Sequence, residues 1–252
     1  MIASKYMKLI TSVILLGFFS MVSSAAAQEN ELKVIQTYQE DVTGDGMKET
    51  VSLKGVLLEE NAKFYQELEV EIKSSEGKKW RIPLGGGYNP NLKFIDINHN
   101  GTNDIFCLIT NDTSKQVYPY QAYTLDNGQL QELPQPSEPF ASGNFTDNFI
   151  VHLQIDPSQK PLTIDMRAKS NQYIQKGIYN KDGHLLKQPA FIIANKIAKV
   201  KPVFLGKQQG YALKSYQPIS GVSKDDYIGT IETLWYFENG SWKNMQTEWK
   251  AG

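Results

Sequence analysis

The chain has 252 residues, with 26 basic against 27 acidic side chains for a formal net charge of −1, and 40% of its residues are hydrophobic. That near-neutral balance argues against nucleic acid or an anionic membrane surface as partner, since both select strong positive patches. The single cysteine, Cys107, excludes an intramolecular disulfide framework, so core, sheet and any bound ion must supply the stability.

Lys5 and Lys8 precede an apolar run from Leu9 to Val22, and Ser23-Ser24-Ala25-Ala26-Ala27 follows it. A charged start, a short apolar stretch and small residues at the end predict a secretory signal peptide over residues 1–27, cut after Ala27. The apolar run falls short of the roughly 20 residues that span a bilayer. The expected product is secreted, with no stable membrane anchor, either free or held at a cell wall or spore surface. Cleavage takes two lysines and no acid, leaving 24 basic and 27 acidic residues. About 225 residues remain, enough for one large all-β domain or two small ones.

Asp41-Val42-Thr43-Gly44-Asp45-Gly46-Met47-Lys48-Glu49 comes next, and a strand-like run, Val51 to Leu53, follows it. Leu68, Val70 and Ile72 then alternate with Glu67, Glu69, Glu71 and Lys73, the period of a strand with one wet face. Ser75-Glu76-Gly77 predicts a hairpin into Trp80 and Ile82. Pro83 to Pro90, with Gly85-Gly86-Gly87 inside it, predicts a bend between strands. It is no phosphate cradle, since neither a helix nor Lys-Ser/Thr follows.

Asp96-Ile97-Asn98-His99-Asn100-Gly101-Thr102-Asn103-Asp104 begins 55 positions after the first such stretch, and Ile105 to Ile109 follows as an apolar run containing Cys107. Both stretches set oxygen-bearing side chains at positions 1, 3, 5 and 9 and glycine at position 6. A hard cation such as Ca²⁺ collects six to eight oxygens, and glycine permits the sharp reversal between them. The expected ligands are Asp41, Thr43, Asp45 and Glu49 in the first loop and Asp96, Asn98, Asn100 and Asp104 in the second. Position 7, Met47 and Thr102, would add a backbone carbonyl. Taken singly, Asp, Asn and Gly of this kind read as tight turns; two copies in one register favour calcium. An EF-hand is excluded, because position 12 is Ser52 or Cys107 rather than glutamate and the flanks are strands.

Val117 to Leu125 and Gln129 to Leu133 flank Asp126-Asn127-Gly128, a hairpin signal that Asp182-Gly183 and Asn239-Gly240 repeat. Leu133-Pro134-Gln135-Pro136-Ser137-Glu138-Pro139 marks a boundary between a β-rich half, 28–133, and a second, 140–252, unless 28–252 is continuous. The second half offers strands at Phe149 to Ile155, Leu162 to Met166, Tyr173 to Tyr179, Val200 to Leu205, Tyr211 to Tyr216 and Ile228 to Phe237. A short helix is expected over Ala190 to Ala198. Asp156 opens no third loop, since Pro161 stands at position 6 and Ile164 at position 9.

Nine-residue Asp-x-Asx-x-Asx-Gly loops between strands resemble the FG-GAP or VCBS-type repeat of integrin-like propellers. Gly85 to Pro90 leading into Phe94-Ile95-Asp96-Ile97-Asn98 resembles secreted VCBS-type proteins of bacilli, as do Tyr211-Ala212-Leu213-Lys214 and Trp235 to Trp242 more loosely. The alternation and the three hairpins give an all-β fold, an antiparallel meander with short helical insertions, and the resemblance implies that it is β-propeller-like or a propeller fragment holding structural calcium. Thr43 in the first loop and the neutral Asn98 and Asn100 in the second lower the charge. Calcium affinity is therefore expected at about 10⁻⁴ to 10⁻³ M.

No catalytic constellation stands out. His99, His152 and His184 lack metal-ligand spacing, Cys107 lacks a recognisable partner, and Asp225-Asp226 reads as a solvated turn. Tyr118, Tyr120, Tyr123, Trp235, Tyr236, Trp242 and Trp249 could stack on sugars, but strand aromatics more often fill cores. The reading is a secreted, non-enzymatic module with calcium loops, meeting an extracellular or cell-envelope partner. A secreted hydrolase of wall or matrix polysaccharide is the alternative.

Overall fold

A computed structural model describes residues 31–110, 120–186 and 190–252. The signal peptide over residues 1–27 lies outside the described residues, as do the start of the strand expected from Val117 and, with it, Tyr118. The described chain is all-β, with antiparallel sheets and one short helix.

The first sheet is a seven-stranded meander curled into a half-barrel, in the order β1 (Lys33–Glu40), β2 (Glu49–Leu57), β3 (Phe64–Lys73), β4 (Lys79–Ile95), β5 (Asp104–Thr110), β6 (Tyr120–Asp126) and β7 (Gln129–Glu132). The alternation at Leu68, Val70 and Ile72 works as expected. All three are fully buried, while Glu69 and Glu71 lie on the wet face, where Glu71 meets Lys54 at 2.8 Å. The glycine triplet corrects its expectation, for it does not separate two strands but lies within β4. There the register against β3 and β5 slips on either side, and Gly85 takes φ +74°. A bulge with a positive φ lets one long strand bend without ending.

The second half holds a three-stranded sheet, β8 (Ser142–Thr146), β9 (Ile150–Gln154) and β10 (Leu162–Asp165), and a larger C-terminal sheet. The larger sheet comprises β11 (Ile193–Ala194), β12 (Lys199–Gly206), β13 (Gly210–Ser220), β14 (Tyr227–Glu238) and β15 (Ser241–Ala251). Asn127-Gly128 and Asn239-Gly240 make their turns with both residues at positive φ, the hand that suits the twist of a two-residue hairpin. Asp182-Gly183 closes a smaller turn, with one bridge between Tyr179 and Leu185.

Two segments exchange their expected structures. Tyr173 to Tyr179 is not a strand: Ser170–Gln175 is the helix α1, ended by Gly177 at φ +64°. The amide of Ile178 donates to Tyr173 O and that of Gly177 to Ile174 O, the paired bonds by which a glycine closes a helix. Ala190 to Ala198 is not a helix. It runs extended beside β13, where the amides of Asn195 and Ala198 donate to Pro218 O and Tyr216 O, so sheet pairing overrides local propensity.

Residues 31–252 form one unit with three apolar clusters. One face of the meander gathers Val51, Leu53, Val70, Ile82, Ile105 and Cys107. The opposite face of β5 and β6, through Phe106, Tyr120 and Ala122, packs with Leu213, Trp235 and Phe237 of the C-terminal sheet. β5 is thus covered on both faces, which explains its unbroken apolar run. A third cluster gathers Val151, Leu153, Tyr173, Tyr179, Ile219 and Ile231. The proline-rich connection is tied across the halves, with Trp242 Nε1 donating to Pro134 O at 2.6 Å and Gln217 Nε2 to Glu138 Oε2 at 3.2 Å.

Candidate metal centre

Both loops close hairpins in the same register. Glu49 opens β2 opposite Glu40, and Asp104 opens β5 opposite Ile95. Position 2 is a buried apolar anchor in each, Val42 or Ile97. The carboxylate at position 9 turns back over the loop: Glu49 Oε2 accepts from the amides of Val42 and Thr43 at 3.0 and 3.2 Å. Asp104 Oδ2 accepts likewise from Ile97 and Asn98 at 2.8 and 3.1 Å. Position 1 repeats only in taking the amide of the position-6 glycine. Asp41 accepts from the amides of Gly44 and Gly46, and Asp96 from those of Asn100 and Gly101. Position 5 bonds the amide of position 7 in both, Asp45 with Met47 at 2.7 Å and Asn100 with Thr102 at 2.9 Å. The glycines at position 6, Gly46 and Gly101, have φ of +85° and +88°.

The loops diverge at positions 3, 4 and 9. In the first, Glu49 is fully buried, yet its Oε1 has no hydrogen-bond partner, and neither does the buried Thr43 Oγ1. A buried carboxylate oxygen without a donor is costly. Because the other oxygen of Glu49 takes the Thr43 amide, the two orphaned groups belong to one small region. In the second loop, Asn98 Nδ2 donates to Asp104 Oδ1 at 3.2 Å and to Thr124 Oγ1 at 3.1 Å, while Asn98 Oδ1 accepts from the Asn100 amide. This amide orientation is forced, since an ionised Asp104 can only accept and a backbone N–H can only donate. Burial pushes the Asp104 carboxyl up to about 6 against the lowering pull of the Ile97 and Asn98 amides and Thr124.

Position 4 sends the loops in different directions. Gly44 has φ +75°, and a Cβ there would stand 2.5 Å from Thr102 Oγ1, so the two loops touch through a glycine. His99 occupies the same position at φ +62°, and its ring leaves the loop for the C-terminal sheet. Nδ1 lies 3.0 Å from Phe237 O, Nε2 lies 2.8 Å from Tyr211 O, and the ring stacks on Tyr236 with centroids 4.3 Å apart.

These arrangements suit oxygen ligation in the first loop, where Glu49 and Thr43 supply buried oxygens that lack donors. The second loop fits a cation poorly, because an NH₂ group faces Asp104 where two oxygens would have to converge. Among the described residues, no three His, Cys, Asp or Glu side chains form a metal-holding group. A site built on the first loop would therefore draw on the Thr43 hydroxyl and backbone oxygens as well as carboxylates.

Other candidates resolve into structural roles. Cys107 is buried and its thiol is pushed up to about 12 by that burial. Tyr120, Tyr123 and Trp235 are buried, as core aromatics should be. Asp226 corrects the expectation of a solvated turn: it is 1% exposed, pairs with Lys169 Nζ at 2.8 Å and accepts from the Val222 amide. The Asp225-Asp226 pair thus does not offer two free carboxylates. Asp156 makes a local turn with Ser158 and Gln159. His184 Nδ1 lies 3.6 Å from Asp147 Oδ2 at the surface.

The fold defines an all-β, antiparallel protein with paired hairpin loops. Its residues 139–250 match the model of the YybI C-terminal domain family, a span that holds β8 to β14, all but the last residue of β15, and neither loop. No curated protein and no solved structure matches the chain. No helix among the described residues is long and apolar enough to cross a membrane.

Proposed function

We propose that this chain is a secreted, non-enzymatic β-rich module in which the Asp41–Glu49 loop holds a structural Ca²⁺, as the resemblance to FG-GAP and VCBS-type repeats implies. Its role would be contact with an extracellular or cell-envelope partner. The observation that carries the calcium reading is the pair of buried oxygens without donors, Glu49 Oε1 and Thr43 Oγ1. A cation beside them would supply what the protein leaves missing, and would offset the repulsion among Asp41, Asp45 and Glu49. Export rests on the pattern of residues 1–27.

Bound only to the folded state, the ion stabilises it by RT ln(1 + [Ca²⁺]/Kd), about 1.4 kcal/mol when free Ca²⁺ is about ten times Kd. Its output is rigidity in the β1–β2 hairpin rather than chemistry. The test is thermal unfolding with Ca²⁺, with Mg²⁺ and with EGTA. Calcium is expected to raise the midpoint more than magnesium does, and Glu49→Gln to abolish the rise. A midpoint indifferent to Ca²⁺ would reduce the first loop to a hydrogen-bonded turn.

A further inference from the structure

We infer that the second loop, Asp96–Asp104, is a metal-free fastener that locks the meander to the C-terminal sheet, with the His99 ring standing in for a missing rung of the β13–β14 ladder. The paired register of β13 and β14 ends at Leu213 opposite Trp235, although the strands run on to Gly210 and Glu238. Continued, that register would set Tyr211 opposite Phe237. Instead the carbonyl oxygens of these two residues face the two ring nitrogens of His99, at 2.8 and 3.0 Å. The ring spans the gap between two splayed strands where amide and carbonyl no longer meet: a neutral imidazole donates its one N–H to one of the two carbonyls, and only the imidazolium form donates to both. Gly210 makes room for it, since a Cβ there would lie 3.0 Å from the ring. Tyr236 covers one face.

The loop presenting this ring holds itself closed without an ion. Asp96 spends both oxygens on backbone amides, Asn100 Oδ1 takes the Thr102 amide, and Asp104 takes two amides and the Asn98 side chain. None of these side-chain oxygens is orphaned, in contrast to the first loop. Asn98 holds the place of a ligand but turns a donor inward. The inference rests on the calcium reading only for that contrast.

Hydrogen exchange on the full chain tests it. His99→Phe keeps a ring against Tyr236 and removes both polar contacts. Amides of Gly210 to Leu213 and Trp235 to Phe237 should then exchange roughly five- to tenfold faster, the loss of about one net hydrogen bond, while β8 to β10 are unchanged. Should that variant fail to fold, His99→Gln, which keeps a donor for one carbonyl, is expected to show a smaller increase at the same amides. In a Glu49→Gln chain, the amides of Ile97 to Thr102 should stay protected in chelator and gain nothing from Ca²⁺. Calcium-dependent protection there, or unchanged exchange at the strand ends in the His99 variants, would overturn the fastener. A wild-type chain indifferent to Ca²⁺ throughout, but loosened by His99→Phe, would remove the calcium reading and uphold the fastener.

Discussion

The two hairpin loops share a nine-residue frame, the same bonds to backbone amides from positions 5 and 9, a position-1 carboxylate that in each takes the amide of the position-6 glycine, and the same buried anchor at position 2, yet they differ in what is left unsatisfied. Around Glu49 and Thr43 the protein leaves oxygens without donors; around Asp104 and Asn98 it closes every bond from within. At position 4 the first loop has a glycine pressed against its neighbour, and the second has an arm that reaches another sheet. One backbone solution can thus serve two ends. At position 3 a Thr hydroxyl in one loop answers to an Asn amide in the other, and at position 4 a glycine answers to the His99 ring that reaches the C-terminal sheet.

The largest expected effect comes from forcing the second loop toward the first. Asn98→Asp sets a carboxylate against the buried Asp104 and should cost about 3 kcal/mol in chelator, as an uncompensated buried charge does. Calcium should restore much of it, which chemical denaturation with and without Ca²⁺ would reveal. Next is the pH dependence of Asp104 itself. Its folded value, raised to about 6, exceeds an unfolded value of about 3.9, so its stabilisation is full below about pH 4 and is lost as pH rises through about 6. The fall should amount to about 2–3 kcal/mol in urea titrations in chelator, and Asp104→Asn should flatten it. Replacing His99 with Phe should cost about 1–1.5 kcal/mol, with Ca²⁺ or without, because the strand ends lose the N–H that the ring donates. Smallest are Gly46→Ala and Gly101→Ala. Both sites have open space for a Cβ, so each should cost only the left-handed backbone penalty, about 1 kcal/mol, measurable as a midpoint shift.

The loops were legible because position-specific oxygens and glycines encode their own turn. Their register, hairpin setting and inward carboxylates follow from residues a few places apart. What distinguishes them was not legible. Asn98 reads as an oxygen ligand until Thr124 and Asp104, brought in by other strands, take its NH₂ group. His99 reads as a turn residue until the ends of β13 and β14 come to meet it. The antiparallel strands followed from period-two alternation and Asn-Gly turns, and β5 declared its double burial through its unbroken apolar run. The exchanged helix and strand have different causes. Gly177 could have marked the end of a helix after Tyr173 and Ile174, a local signal that strand-like aromatics masked. Ala190 to Ala198 carries no such signal, because its extended form depends on β13. Asp226 misled for the same reason, since Lys169 lies far from it in sequence.

The most direct test is to count calcium ions bound per chain by equilibrium dialysis at millimolar free Ca²⁺, in the wild type, Glu49→Gln and Asp96→Asn. One ion, lost with Glu49→Gln and kept with Asp96→Asn, is the predicted result. Two ions, or a single ion that survives Glu49→Gln and disappears with Asp96→Asn, would contradict the division between the loops.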